Sequence, residues 1–454
     1  MARSEFEIPE DFFEFDNPRP DEFPDNPDVR LAVGWFRSFI PEKEWRTRRH
    51  SVAHRLYDMA INGAGPDTAG KLFDSKDAFA WQLFLAEASI DHVWNYEPTF
   101  GSRVVPIFMA IGRNIDVLRK VEGIDDRIRR MVGAGKAQPN GPLFELLVAA
   151  AYARAGAKVR FVPEVPGGPR AHDLDAEING RIYAIECKRM ETSEYGEKER
   201  TLARKLWHDS AAQLVGLARS ALASVEFSSP LDAVPEDYIT VKTLAWINSG
   251  QPVLEWEDEH GRGKIGDLDL APAREVLRDN VVLANGSRLQ ELLTGRYIRH
   301  QSVVSICRMK PSDNPRYIED CDFAALFQWT PKSDASISGR ARDVLRKVAD
   351  GTGQLPKDRP GIVHVGFEAV EGNYVEELRL ARIEESLKNF DPKGVALEYA
   401  YVHFLAPESP PDEAWAFDET RTLRPIRATS SPPLPEGFLV LAPNASTKDG
   451  PHWR

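Results

Sequence analysis

Two acids and a lysine within one short stretch are the residues of this sequence best placed to do chemistry. The stretch from Ala171 to Met190 reads AHDLDAEINGRIYAIECKRM, and Asn179-Gly180 near its centre is the dipeptide preferred in a two-residue hairpin turn. If these two residues form the turn, Asp173 lies directly opposite Glu186. Opposed side chains on paired strands have Cβ atoms about 4.5–5.5 Å apart, and like charges at that spacing repel each other.

A divalent cation would remove that repulsion. Mg²⁺ is usually held by one or two carboxylates, and it keeps several waters that phosphate oxygens can replace. Lys188 lies two residues beyond Glu186 and therefore points to the same face of the strand. Asp175 is a rival for the first acid, but the hairpin register favours Asp173. The alternative is an interaction protein in which this face is only solvated, because antiparallel hairpins often have one apolar and one wet face.

The segment upstream of the hairpin predicts a buried helix that carries one acid. Asn140-Gly141-Pro142 is typical of a helix start, with a capping residue followed by proline in the first turn. The next residues, LFELLVAAAYARAGA, are apolar on almost every side and end near Gly156. Glu145 is either a first-turn carboxylate favoured by the helix dipole, or an acid aimed at Asp173 and Glu186. We favour the second alternative, because an unpaired buried carboxylate is costly.

The order of these elements resembles that of the PD-(D/E)xK nuclease superfamily, which has the restriction-endonuclease-like fold. Asp173 matches the first acid of the motif, Glu186-Cys187-Lys188 matches the (D/E)xK element, and Glu145 matches the acid of the preceding helix. The residue before Asp173 is His172 rather than the proline of the family's name. The resemblance covers roughly residues 140–189, and the turn, the alternating core face and the upstream helix make it more specific than the short motif alone.

The resemblance implies a metal-dependent nuclease. It implies that Asp173, Glu186 and the backbone carbonyl of Cys187 hold Mg²⁺ or Mn²⁺. It also implies that Lys188 orients or deprotonates the attacking water, and that Glu145 helps to position a second ion or its waters. The expected substrate is nucleic acid, with DNA favoured over RNA, in restriction, antiviral defence or repair. A non-cleaving protein of the same fold that binds nucleic acid or a protein partner is the alternative, and a homo-oligomer is compatible with either.

The composition is that of an ordinary soluble protein. The chain has 454 residues, 42% of them hydrophobic and 28% charged, a length that suggests about two to four domains. The formal net charge of −12 argues against coating nucleic acid through bulk charge, although a nuclease needs only local basic flanks. Three cysteines without CxxC spacing, and no apolar run of about 18 residues, predict a cytoplasmic protein without a membrane span.

Composition and hydrophobic periodicity predict five regions. They are an acidic, largely irregular arm (1–28), a helical domain (29–137), a nuclease-like α/β core (138–228 and 300–405), an insertion (229–299) and a Pro-rich C-terminal tail (406–454). The core should be a mixed sheet flanked by helices, because strand-like and helix-like segments alternate in it. SVVSICR at 302–308 and FAALFQW at 323–329 should be strands of that sheet. GFLVLAP should be a short strand in the tail.

Two further features could serve partners or substrate. The Phe residues of the arm either pin it to its own domain or dock on a partner. Basic residues could contact phosphates or could form solvated helix faces. They are Arg46, Arg48, Arg49, Arg55, Arg127, Arg129, Arg130 and Lys136 in the helical region, and Lys198, Arg200, Arg204 and Lys205 on a long helix expected over 196–222.

Overall fold

The architecture is α/β, with an N-terminal helical region followed by two mixed sheets that have helices on their faces. The computed structural model describes residues 7–9, 11–14, 21–62, 72–163, 171–190, 194–297, 299, 302–434 and 438–453, apart from the side chains of 341–343. No helix in these ranges combines the length and the apolar character that crossing a bilayer requires.

Helices predicted from apolar spacing in the N-terminal region are confirmed. Within the described part of that region they are α1 (Pro27–Arg37), α2 (Glu42–Asn62), α3 (Ala78–Asp91), α4 (Pro98–Arg113), α5 (Ile115–Leu118) and α6 (Ile124–Val132). Nearly all of α3 is buried, which explains why its sequence has no polar stripe. The helices share one continuous hydrophobic core with the first sheet, so they pack on it directly rather than standing apart.

The rest of the chain alternates between helices and strands. The helices are α7 (Asn140–Arg154), α8 (Glu194–Gly216), α9 (Tyr238–Ser249), α10 (Ala271–Leu277), α11 (Ser287–Thr294), α12 (Asp334–Thr352) and α13 (Asn373–Lys388). The strands are β1 (Lys158–Phe161), β2 (Leu174–Ile178), β3 (Arg181–Met190), β4 (Ala221–Phe227), β5 (Val253–Asp258), β6 (Gly261–Asp267), β7 (Val282–Leu283), β8 (Ser302–Pro311), β9 (Tyr317–Pro331), β10 (Gly361–Glu368), β11 (Leu397–Glu408) and β12 (Ala416–Pro425).

The first sheet has the strand order β1-β2-β3-β10-β11-β12. Strands β3, β10 and β11 run parallel to one another, and the remaining pairs are antiparallel. Helix α7 packs on one face, where it meets the apolar side of the hairpin. Helices α12 and α13 cover the other face. The strands at the centre of this sheet are therefore buried on both sides.

The hairpin has the register that its sequence predicts. Asn179 and Gly180 have φ of 51° and 75°, as a type I′ turn requires. Leu174 pairs with Ile185, and the following pairs keep the same register down to the turn. The side chains facing α7 are buried as expected. The opposite face is also buried around Ala184 and Glu186, because α12 lies over it, whereas Glu177 and Ile182 nearer the turn are exposed.

The second sheet has the order β5-β6-β4-β9-β7, with β8 also paired to β9. Its strands include 302–308 and 323–329, so the prediction that these segments extend the first sheet was wrong. Alternating hydrophobicity identifies a strand but not its neighbour, and β9 pairs in parallel with β4. The inserted unit therefore runs from β4 to β9, about residues 221–331, rather than over 229–299. Helix α8 also ends earlier than predicted, at Gly216.

The C-terminal region also differs from the expectation. Residues 438–443 of GFLVLAP form no strand, and the backbone N–H groups of Leu439 and Val440 instead donate to the Glu419 carboxylate at 3.0 and 2.9 Å. Glu419 belongs to β12, an edge strand that the sequence analysis missed. Its sequence, AFDETRTLRP, carries few apolar residues because an edge strand needs fewer of them.

The described part of the N-terminal arm is pinned to the helical region. The Phe12 ring packs edge-on against Tyr57 at 5.0 Å, and the Phe13 ring packs against His92 at 5.3 Å. Phe6 and Phe15 lie outside the described residues. These contacts favour the alternative in which the arm packs on its own domain.

His92, beneath Phe13, should make the stability of the protein depend on pH. It is only 1% exposed, and burial lowers its pKa to about 3. Below about pH 6.5 the unfolded chain binds a proton at this position that the folded protein does not bind, so acidification favours unfolding. We expect His92→Phe to reduce the loss of stability on acidification by up to about 1.4 kcal/mol per pH unit. Urea unfolding of both proteins between pH 7.5 and 5 measures how the free energy of unfolding changes with pH. The same pH dependence in the wild type and in His92→Phe would contradict this prediction.

Candidate active site

The hairpin, α7 and α6 bring the four predicted side chains into one cluster and add a fifth. Asp173 and Glu186 lie side by side, and the charge of Glu145 is close enough to raise the pKa of Glu186. Lys188 is ion-paired with Glu186. The fifth member is Arg127, whose Nη2 atom is 3.8 Å from Oδ1 of Asp173. We call these five residues the carboxylate cluster.

Asp173 is fixed against β3 by its backbone and by its side chain. It lies one residue before β2, where its N–H donates to the carbonyl of Ile185 at 3.1 Å. Its Oδ2 accepts from the N–H of Cys187 at 2.8 Å. Burial raises the pKa of Asp173, although the Cys187 N–H and the positive charge of Arg127 act in the opposite direction. The carboxyl group is therefore rigidly oriented and less acidic than usual.

Glu186 is the most deeply buried acid of the cluster, with 1% exposure. Burial and the charge of Asp173 raise its pKa to about 8, against the opposing effect of Lys188. Its Oε2 atom is buried and has no hydrogen-bond partner in the described part of the chain. Helix α12 covers it through Gly351, where a Cβ atom would lie 3.3 Å from Cγ of Glu186. Two adjacent carboxyls in such surroundings share a proton or bind a cation.

Glu145 lies in the cluster, but its charge is already balanced. It is 5% exposed and forms an ion pair with Arg127. The sequence analysis placed Arg127 only among the basic residues that could contact phosphate. Its position beside the apolar residues Ile124 and Ile128 of α6 was the available signal, because a residue at the edge of a buried stripe points partly inward. Its planar guanidinium suits a carboxylate or a phosphate equally well.

Asp175, the rival first acid, belongs to a different network. Its carboxylate accepts from Arg160 and from His172, both at 2.8 Å, and Arg359 lies 3.4 Å away. Burial alone would raise its pKa, but the hydrogen bonds from His172 and Arg160 outweigh burial and lower it. Asp175 therefore has the surroundings of a structural ion pair, whereas Asp173 lies beside Glu186.

Cys187 has an inert side chain. The thiol is buried beneath α7, and burial raises its pKa well above the usual value. A thiol that does not ionise is a poor nucleophile. The contact with Asp173 uses the backbone N–H of Cys187, whereas the resemblance gave a role to its carbonyl.

Two carboxylates of the cluster, those of Asp173 and Glu186, suit a hard divalent cation as ligands. Among the described residues, no three His, Cys, Asp or Glu side chains are grouped as metal ligands. Mg²⁺ commonly uses only one or two carboxylates and completes its shell with water and phosphate oxygens. Asp173 and Glu186 supply such a pair, and the unpartnered Oε2 of Glu186 is an available ligand atom. Glu145 is less suited, because its carboxylate is held by Arg127.

Several predicted phosphate contacts instead hold the fold together. Arg48 is ion-paired with Asp77 at 2.7 Å inside the helical region. Arg200 is ion-paired with Glu371 at 2.9 Å. Arg204 is exposed and lines a cleft of about 400 Å³ off the carboxyl ends of β10 and β11.

Comparison of the chain with protein-family models, with curated proteins and with solved structures gave no match.

Proposed function

We propose that this protein is a metal-dependent nuclease of the PD-(D/E)xK type, with DNA as the favoured substrate. The observation that carries the proposal is the adjacency of two carboxyls, the half-buried Asp173 and the buried Glu186, beside Lys188 of β3. Burying like charges together is costly, and a site that binds a divalent cation gives a reason for it. Burial raises the pKa of both acids, and the charge of Asp173 raises the pKa of Glu186 further.

The surrounding fold supports the proposal. Helix α7, strand β1 and the hairpin follow one another in the order that the resemblance implied. They belong to a mixed sheet with helices on both faces, which is compatible with a restriction-endonuclease-like core. The strands of the second sheet lie between α8 and α12 in the sequence. None of them pairs with a strand of the first sheet, so the first sheet remains continuous.

Four side chains of the cluster have a role in this mechanism. Asp173, oriented by the Cys187 N–H, and Glu186 would hold Mg²⁺ or Mn²⁺, which would supply an activated water and neutralise charge on the scissile phosphate. Lys188 donates hydrogen bonds to the attacking water or to a phosphate oxygen. Arg127, 3.8 Å from Asp173, carries a guanidinium of the kind that binds phosphate oxygens in pairs.

A protein of the same fold that binds nucleic acid without cutting it is the second candidate. The ion pairs Lys188–Glu186 and Arg127–Glu145 favour it, because they balance two of the three acids without any cation. In that case the cluster would be a structural network that stabilises the contact between α6, α7 and β3.

A cleavage assay separates the two candidates. We expect the full-length protein to cut DNA in Mg²⁺ or Mn²⁺ and to stop cutting in EDTA, because hydrolysis depends on the activated water. Plasmid, linear duplex, single-stranded DNA and RNA are incubated in parallel, and excess Mg²⁺ added after EDTA serves as the control for reversible loss. Binding without cleavage of any substrate would favour the second candidate, and neither binding nor cleavage would contradict both.

A further inference from the structure

A second polar cleft lies between the second sheet and the loop that follows β10. Its volume is about 960 Å³, within the range of small-molecule sites. It is distinct from the carboxylate cluster, none of whose five residues lines it. Its walls come from the strands β4, β5, β6 and β9, from the first residue of β8, from Arg296, Tyr297 and Arg299, and from the start of α13.

The floor of the cleft is the polar face of the second sheet. Along β4 the residues alternate, so that Ala223 and Val225 enter the core beneath α8 while Ser224 faces the cleft. Ser224 pairs with Lys264 of β6 on one side and with Gln328 of β9 on the other. Lys264, Ser224 and Gln328 therefore form a row of polar side chains across three adjacent strands.

Gln328 has an unused hydrogen-bonding group in this row. Its side chain is fully buried and lines the cleft. Ser224 Oγ lies 3.1 Å from Gln328 Oε1, and Gln328 Nε2 has no partner among the described residues. If the amide is turned over, its oxygen loses the partner instead, so one terminal atom is unpaired in either orientation. An unpaired buried amide is costly, and a ligand that hydrogen-bonds to it would remove that cost.

The wall opposite Gln328 attracts anions. Helix α13, of 16 residues, begins there with Gly372 at its N-cap and no side-chain capping bond. The start of a helix presents backbone N–H groups and a partial positive charge. Two acids lie beside this helix start, and both are ion-paired. Glu371 is paired with Arg340 at 2.7 Å and with Arg200. Glu376, in the first turn of α13, accepts from the Glu371 N–H and is paired with Arg379 at 2.9 Å.

Two cations of the cleft have no acidic partner. Lys264 and Arg296 line it, and neither forms an ion pair with any described residue. By contrast, Arg262 is paired with Glu226 at 2.5 Å. The remaining acids of the lining, Glu255 and Glu257, lie on β5, the edge strand of the sheet, and Glu255 is the cross-strand neighbour of Lys264. Lys264 and Arg296 are exposed, so both cations can reach an anion that enters the cleft.

We propose that this cleft binds a phosphate-bearing ligand of nucleotide size. Its phosphate would lie between the start of α13, Lys264 and Arg296, and a polar ring edge would pair with Gln328 and Ser224. Both a free nucleotide and the 5′-phosphorylated end of a nucleic-acid strand present this chemistry. The proposal goes beyond the nuclease proposal and does not depend on it, because the two sites share no residue.

Calorimetric titration of the full-length protein in EDTA tests the proposal. The probes are AMP, GMP, ATP and a 5′-phosphorylated trinucleotide, and EDTA prevents metal binding at the carboxylate cluster. We expect at least one probe to bind with a Kd below about 1 mM. Selective binding of a mononucleotide would identify a free nucleotide as the ligand, and selective binding of the trinucleotide would identify a strand end. Failure of all four probes to bind would overturn the proposal.

Variants locate the binding in the cleft. We expect Lys264→Ala and Arg296→Ala each to weaken binding about tenfold, since each removes a charge-assisted contact. Gln328→Glu, which places a carboxylate of the same size at the floor, should abolish binding. Gln328→Leu should also abolish binding. Its melting temperature should equal or exceed that of the wild type, because the substitution removes the unpaired amide.

Two control variants change charged residues that do not line the cleft. Lys310→Ala removes a lysine of β8 that is ion-paired with Glu319, and it should leave binding unchanged. Asp173→Asn should also leave it unchanged, so failure of the nuclease proposal would not affect this test. Unchanged binding in Gln328→Glu and Lys264→Ala would overturn the proposal.

Discussion

Asp173→Asn should abolish cleavage and leave the fold intact. Asparagine keeps an oxygen that can accept the Cys187 N–H hydrogen bond, but it removes the charge that would hold the cation. We expect the cleavage rate to fall at least about 100-fold, because losing one electrostatic contact to a transition state typically lowers the rate by that factor or more. Lys188→Met, which keeps the length of the chain and removes the ammonium, should lower the rate by about 100- to 1000-fold. Initial rates in Mg²⁺ measure both effects.

Measurements of stability and a matched control variant show whether the lost cleavage reflects lost catalysis or lost folding. Glu177→Gln removes an exposed acid from the same hairpin, and its rate should equal that of the wild type. The melting temperature of Asp173→Asn should not fall, because the variant removes one of two neighbouring acidic groups and keeps the acceptor for the Cys187 N–H. Duplex binding in Ca²⁺, followed by fluorescence anisotropy, should persist in both active-site variants. Cleavage at the wild-type rate by Asp173→Asn would count decisively against the proposed site.

Arg340→Met should strongly destabilise the fold. Arg340 is fully buried on α12, where it pairs with Glu199 of α8 and with Glu371 of the loop before α13. Methionine would leave both carboxylates buried without this partner. Removing one member of a buried ionic network costs about 3–5 kcal/mol, and we expect the free energy of unfolding to fall by that amount. Guanidinium denaturation measures it.

Two further variants test the cause of that loss. Arg346→Met removes an exposed arginine from the same helix, and its effect should stay within about 0.5 kcal/mol, since exposed ion pairs contribute little. The triple variant Arg340→Met, Glu199→Gln, Glu371→Gln should regain part of the lost stability, because no buried charge of the triad is then left unpaired. If Arg340→Met were as stable as Arg346→Met, the buried ion pairs would not exist in solution.

The geometry of the hairpin that carries Asp173, Glu186 and Lys188 follows from the amino-acid sequence alone. Asn179-Gly180 favours one turn type, and the two-residue period of a strand then fixes every pair of the hairpin. That is why the sequence was sufficient to predict the proximity of Asp173 and Glu186 and to favour Asp173 over Asp175. The helices of the N-terminal region and α7 were predictable for a similar reason, because their signals lie within a few residues of one another.

Which distant elements meet depends on the tertiary fold. A strand pattern shows which side chains are buried but not which strand lies alongside, so the sheet membership of β8 and β9 was wrongly predicted and β12 was missed. The ion pair between Arg127 and Glu145 joins two separate helices, and the burial of Glu186 depends on α12, far along the chain. The unpaired amide of Gln328 is likewise visible only once its neighbours are in place. Burial and charge pairing are properties of neighbours in space, and periodicity in one segment carries no information about them.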